Sequence, residues 1–156
     1  SNPPADGGDP TCAEGSDGNV YCWGNNHVGQ LGDGTETDRL APVPVLAPGD
    51  VRLSRPDAGS SNVCANGSDG RVYCWGDNFG GKVGIGGGPL TVSTPTAISA
   101  PAGVSFSDVS VGGTVSCAMS VNGRPFCWGV NAAGQVGDGT RTNRSAPVPV
   151  VGVRGA

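Results

Sequence analysis

One motif is written three times along this chain, in register: Cys12-AEGSDGNVY-Cys22-Trp23-Gly24, Cys64-ANGSDGRVY-Cys74-Trp75-Gly76 and Cys117-AMSVNGRPF-Cys127-Trp128-Gly129. The tryptophans stand 52 and 53 residues apart, and one inserted residue before Pro95 accounts for the difference. After each Trp the same punctuation follows: Asn26, Asn78 and Asn131, then Gly29, Gly81 and Gly134, then Gly32, Gly84 and Gly137. A fixed period of this length is the signature of repeat architectures, in which each unit buries its apolar face only against its neighbours. The expected units are residues 12–50, 51–103 and 104–156, with an irregular segment over residues 1–11.

The paired cysteines define the local structure of each unit. Midway between them stand Ser16-Asp17-Gly18, Ser68-Asp69-Gly70 and Val121-Asn122-Gly123. This is a three-residue hairpin loop, a type I turn closed by a left-handed Gly in a G1 bulge. With Gly15 and Asn19 as the closing hydrogen-bonded pair, strand alternation sets Cys12 directly opposite Cys22 in a non-hydrogen-bonded pair, Cα atoms ~4.5 Å apart. That is the short end of what a disulfide accepts. The same count pairs Cys64 with Cys74 and Cys117 with Cys127, and disulfides at this density imply an oxidising compartment. A zinc reading fits poorly, because the spacing is not that of a zinc knuckle and His27 is the only histidine.

Composition agrees with an all-β fold. The 29 Gly and 13 Pro make up about a quarter of the chain, and these are the two worst residues for a helix interior. Ala41-Pro42-Val43-Pro44-Val45, Thr94-Pro95-Thr96-Ala97-Ile98 and Ala146-Pro147-Val148-Pro149-Val150 read as edge strands, since alternating proline cannot sit in a central one. Further strands are expected at Val51–Ala58 and Val104–Val111. Four short antiparallel strands in ~50 residues outline a propeller blade, so three repeats predict a partial propeller or arc.

Charge narrows the partners. The net charge is -4 with no basic cluster, which argues against nucleic acid, whose affinity comes from Lys and Arg displacing counterions. No apolar stretch reaches the ~20 residues of a membrane span. No catalytic constellation, cofactor motif or metal-ligand spacing stands out, and the expectation is a noncatalytic protein.

The repeated Trp23, Trp75 and Trp128 follow the second cysteine, so each faces away from the disulfide, where a large flat side chain fills the space between blades. Gly29, Gly81 and Gly134 and the repeated asparagines are read as turn and packing residues, because every blade needs them. Gly32-Asp33-Gly34-Thr35 and Gly137-Asp138-Gly139-Thr140 offer oxygens that could bind Ca²⁺, with Glu36 and Asp38 nearby, but Ile85 replaces the Asp in the middle copy and a plain turn is the first reading. His27, replaced by Phe79 and Ala132 in the other copies, is expected to be a solvated loop residue. Asn66-Gly67-Ser68 and Asn143-Arg144-Ser145 match the glycosylation sequon, Asn143 being expected to be the more accessible.

The spaced pattern Trp23-Gly24-x-Asn26-x-x-Gly29-Gln30-Leu31-Gly32-x-Gly34, with a Gly-x-Val-Tyr-like strand before it and a proline-bearing strand after it, resembles the repeat of the regulator-of-chromosome-condensation family from Thr11 to Val151. The resemblance implies β-propeller blades, commonly seven to a ring, acting mostly as binding platforms. Some members are exchange factors for small GTPases, and a secreted bacterial relative inhibits β-lactamases. Here Asn62-Val63 and Val115-Ser116 stand where the family usually has His-Ser, and the cysteine clamps resemble exported bacterial members. The resulting expectation is an extracellular or cell-surface interaction module that associates with copies of itself or with further repeats of a longer chain. A secreted enzyme inhibitor is the alternative, and a nucleotide exchange factor fits less well, its partner being cytosolic.

Overall fold

The computed structural model describes residues 9–153. Its strands form three antiparallel sheets, one per repeat, with no α-helix among the described residues. The first holds β1 (Thr11–Glu14), β2 (Val20–Gly24) and β3 (Arg39–Pro44). In the second, β4 (Leu53–Ala58), β5 (Asn62–Gly67), β6 (Val72–Asp77) and β7 (Thr91–Ala97) lie in chain order. The third repeats it with β8 (Phe106–Val111), β9 (Val115–Ser120), β10 (Pro125–Gly129) and β11 (Arg144–Pro149). A 3-10 turn, Phe79–Gly81, follows β6.

The hairpins keep the register that the cysteine spacing dictates. Cys12 pairs with Cys22, Cys64 with Cys74 and Cys117 with Cys127 across their ladders. The Gly15 N–H donates to the Asn19 carbonyl at 2.7 Å, and Gly18 closes the turn at φ 79°. The outer strands begin earlier than their prolines suggest, at Arg39, Thr91 and Arg144 rather than Ala41, Thr94 and Ala146. A shift in register lets their first residues pair with Gly24, Gly76 or Gly129 before the proline run begins. The first sheet has three strands among the described residues, and nearly all of the irregular segment expected at residues 1–11 lies outside them.

Burial explains how the sheets stack. In the middle repeat, Val63, Cys64, Ala65, Val72, Tyr73, Cys74 and Trp75 are all buried, so both faces of the β5–β6 hairpin are covered. Successive side chains of a strand point to opposite faces; Trp75 therefore meets repeat 1 and the Cys64–Cys74 bridge meets repeat 3. In β9 of repeat 3, by contrast, Ser116 and Ala118 are buried while Met119 is 41% exposed. The core is thus a stack of interblade layers, in which burying apolar area contributes ~25 cal/mol per Å².

Candidate functional site

Each repeat is stapled by its own bridge. Cys12–Cys22, Cys64–Cys74 and Cys117–Cys127 are bonded, with Cα separations of 4.2, 4.1 and 4.0 Å. At the hairpin tips, Asp17 accepts hydrogen bonds from the Tyr21 hydroxyl at 2.7 Å and from the Asn19 N–H and amide. The Tyr21 hydroxyl, then Asn19, hold the Asp17 carboxyl down to about 2. Asp69 and Tyr73 repeat the pair at 2.6 Å. In repeat 3, Phe126 stands in for the tyrosine and packs edge-to-face on Phe106, ring centres 5.6 Å apart.

The asparagine after each Trp organises the glycine loop behind it. Asn26 accepts from the Leu31 N–H at 3.0 Å and donates to the Thr35 and Thr37 carbonyls, both at 3.0 Å. Asn78 and Asn131 do the same with Val83 and Val136. A buried amide with donor and acceptor both used is a turn-holding group, as its recurrence in all copies implies.

The same loops use up the carboxylates considered for calcium. Asp33 accepts from the Thr35 N–H and hydroxyl, from Asn26 and from the Arg39 guanidinium at 2.9 Å. Asp138 has matching contacts with Thr140, Asn131 and Arg144, and the Thr140 hydroxyl, then Arg144, hold its carboxyl at about 2. In the middle repeat a different pair forms: Lys82, 8% exposed, places its ammonium 2.7 Å from Asp77. Partial burial by itself would raise the Asp77 carboxyl, but the contacts from Lys82, the Phe79 N–H and Ser61 outweigh it and lower it.

His27 is more than half exposed, as a solvated loop residue would be, but the fold brings Asp38 to 3.8 Å from its Nε2. The sequence spacing gives no hint of that proximity. Of the two sequons, Asn143 is exposed and its side-chain oxygen accepts the Asn131 N–H at 2.8 Å. Asn66 is only 9% exposed, its amide nitrogen enclosed without a partner. Asn143 is thus the more accessible of the two sequon asparagines.

The repeated Trp and Gly positions meet at the joints between blades. The Trp75 indole N–H donates to the Gln30 carbonyl of repeat 1, and Trp128 to the Lys82 carbonyl of repeat 2, both at 3.0 Å. Each ring lies on a glycine: a methyl group at Gly32 would stand 2.7 Å from Nε1 of Trp75, and one at Gly84 2.5 Å from that of Trp128. Beside the ring, a methyl group at Gly29 would stand 2.6 Å from Ser93 and one at Gly81 2.5 Å from Ser145. The N–H groups of Gly34 and Gly86 complete the joint by donating to the Ser93 and Ser145 carbonyls. Asn62 and Ser116, at the variant positions noted above, approach at 3.4 Å beside the Lys82 carbonyl.

At the flanks the halves of this joint stand unmatched among the described residues. Trp23 is only half-buried, and Leu40, which holds the place of Ser93 and Ser145, is fully exposed. At the other end, Gly134 has nothing nearer to its added methyl than the Thr140 carbonyl at 3.9 Å, and Gly137 meets Val150 rather than an indole.

Arg55 was not foreseen. It occupies the left-handed region at φ 48°, in a bulge of β4, and touches all three repeats. Its N–H donates to Glu14, its guanidinium to the Ser107 carbonyl at 2.7 Å, and Asp108 lies 3.7 Å away. Pro56 inside an expected strand was the available signal, since proline in a sheet marks edges and bulges.

Comparison with known proteins agrees with this geometry. The profile described as "Regulator of chromosome condensation (RCC1) repeat" matches residues 17–65 and 69–119. The human E3 ubiquitin-protein ligase HERC2 is 34% identical over 149 residues, 94% of this chain and 3% of its own length. The ultraviolet-B receptor UVR8 of Arabidopsis thaliana is 32% identical over 150 residues, 96% of this chain. The chain spans about a third of UVR8 and far less of HERC2. Among solved structures, human WBSCR16 superposes with a TM-score of 0.78 at 24% identity, covering 92% of this chain and 37% of that one. Yeast RCC1 (Prp20), crystallised with Kap60 bound, also gives 0.78 at 24%, covering 91% and 35%. At that identity the likeness is one of fold.

Proposed function

The chain belongs to the RCC1 repeat family, and on that premise we propose that it is a noncatalytic protein-interaction module, working outside the cytosol as part of a larger set of repeats. The observation that carries this reading is the contrast between joints and flanks. Two interblade joints are complete, while Trp23 and Leu40 on one flank and the Gly134–Gly139 loop on the other carry the same groups without their counterparts among the described residues. Exposed apolar surface that repeats a buried contact elsewhere in the molecule marks an interaction site.

The three bridges support the location, since such bonds persist where glutathione does not reduce them. The noncatalytic part draws support from the site chemistry: the Asp33 and Asp138 carboxylates are tied to Thr and Arg, and His27 faces Asp38 with no nucleophile in the contact.

Hydrogen exchange on the protein isolated from its source tests the interaction reading. Amides of residues 134–139 should there be protected like those of residues 29–34. Fast exchange at residues 134–139 alone would refute it. For location, alkylation of intact cells before lysis should leave all six cysteines unmodified.

A further inference from the structure

We propose that the two flanks of this chain fit one another, so that a second copy docks head-to-tail, its Trp23 and Leu40 seated on the Gln135–Gly139 loop of the first. This rests on the interaction reading above and names the partner. The complete joints serve as the template: an indole donates to the carbonyl at the position of Gln30 or Lys82, and a serine carbonyl receives the N–H of Gly34 or Gly86. Carried one repeat further, Trp23 faces the Gln135 carbonyl and the Leu40 carbonyl faces the Gly139 N–H.

Two features distinguish this from an open slot for any blade. The first is size. Leu40 stands where both complete joints have serine, a large side chain that is fully exposed. The loop opposite carries Ala132-Ala133 where the other copies carry His27-Val28 and Phe79-Gly80. In the formed joint this segment lies against the next repeat: a methyl group on Gly80 would stand 2.5 Å from Val130. By that template Ala133 falls against Asn25, and Leu40 falls against Gly134, as Ser93 does against Gly29 and Ser145 against Gly81; Gly134 has open space around it for the larger side chain.

The second feature is charge. In the first joint, Glu36 accepts a hydrogen bond from the Thr91 hydroxyl at 3.1 Å across the blades. The residue matching Glu36 in repeat 3 is Arg141, and Asp38 precedes Arg39 in repeat 1 as Thr91 precedes its counterpart Val92. The same contact between copies brings an exposed arginine to an exposed aspartate, which favours this partner over a like-charged one. Because the two patches differ, the contact is heterologous: it closes a ring if the rotation allows and otherwise extends as a filament.

Sedimentation velocity on the purified chain and two variants tests this. Leu40→Glu spoils one flank and Arg141→Glu the other, both at exposed positions, and circular dichroism verifies that each variant folds. The unaltered chain should form larger species as concentration rises, and each variant alone should lose them. A mixture of the two variants retains one intact pair of flanks and should give a 1:1 dimer that grows no further. A monomer at every concentration, undiminished assembly of either variant, or failure of the mixture to pair would overturn the second-copy proposal. Protection of residues 134–139 in the source protein would then still stand for the interaction reading, with another set of repeats as occupant.

Discussion

Gly84 and Trp128 are in contact across the second interblade joint so closely that the glycine has no room for a side chain: an added methyl carbon would lie 2.5 Å from the indole nitrogen. Gly84 also has φ 79°. Two costs therefore coincide at this residue, a left-handed backbone and a lost close approach. Gly84→Ala should destabilise by ~2 to 4 kcal/mol, combining ~1 to 2 for the backbone with a similar overpacking cost. Gly70, at φ 82° with open space around it, isolates the backbone cost. Gly70→Ala should lower the denaturant midpoint by about half as much, and equal shifts would remove the steric role of the joint.

The ring itself should matter more than any loop side chain. Trp75 is fully buried and His27 exposed. Trp75→Ala should cost ~3 to 5 kcal/mol, the range for truncating a buried aromatic. His27→Ala should stay within about 0.5 kcal/mol, as surface changes do. Indistinguishable urea midpoints for the two variants would contradict the packing role of the tryptophan.

Acid should loosen the repeats through their turn carboxylates. Asp17 and Asp138 titrate near 2, and Asp33, Asp69 and Asp77 are also lowered. A carboxylate with a folded pKa below its unfolded value binds fewer protons in the folded state. Its contribution is therefore present above about pH 4 and lost as the pH falls through the folded value. Melting temperature should be level near neutrality and fall between about pH 4 and 2. Asp138→Asn should lower the neutral plateau and reduce the acid slope, and an unchanged slope would assign the loss to other groups.

The bridges should stabilise each hairpin separately. Each closes a sequence separation of 10 residues, for which the chain-entropy estimate is ~2.5 to 3 kcal/mol. Replacing both Cys64 and Cys74 by Ala should cost at least this much, since that bridge is wholly buried. Nonreducing peptide mapping should find only the three within-hairpin pairs. A bridge between repeats would be incompatible with the register.

What could be read from the sequence was local. The hairpins follow from a ten-residue cysteine spacing centred on Asp-Gly or Asn-Gly, because a short loop admits few geometries. The tryptophans could be assigned to the space between blades by alternation alone. Their hydrogen-bond acceptors could not, because the Gln30 and Lys82 carbonyls belong to the main chain and reach the indole from 45 and 46 residues away. Arg55 was hidden for a similar reason: its role depends on a bulge and on groups from both neighbouring repeats. The burial of Asn66 could not be read from its sequon, because accessibility is decided by what packs over a strand, and the three-residue pattern carries none of that information.

The main-chain acceptor in each joint has an evolutionary consequence. Glutamine, lysine and glutamine occupy the three acceptor positions, at Gln30, Lys82 and Gln135, and the first two complete the same contact with the same 3.0 Å geometry. A carbonyl oxygen is supplied by any residue, so neighbouring units need not mutate in concert to remain compatible. Unequal recombination can then copy, delete or exchange a whole unit in one step, and the newcomer docks as soon as it brings its own indole and glycine.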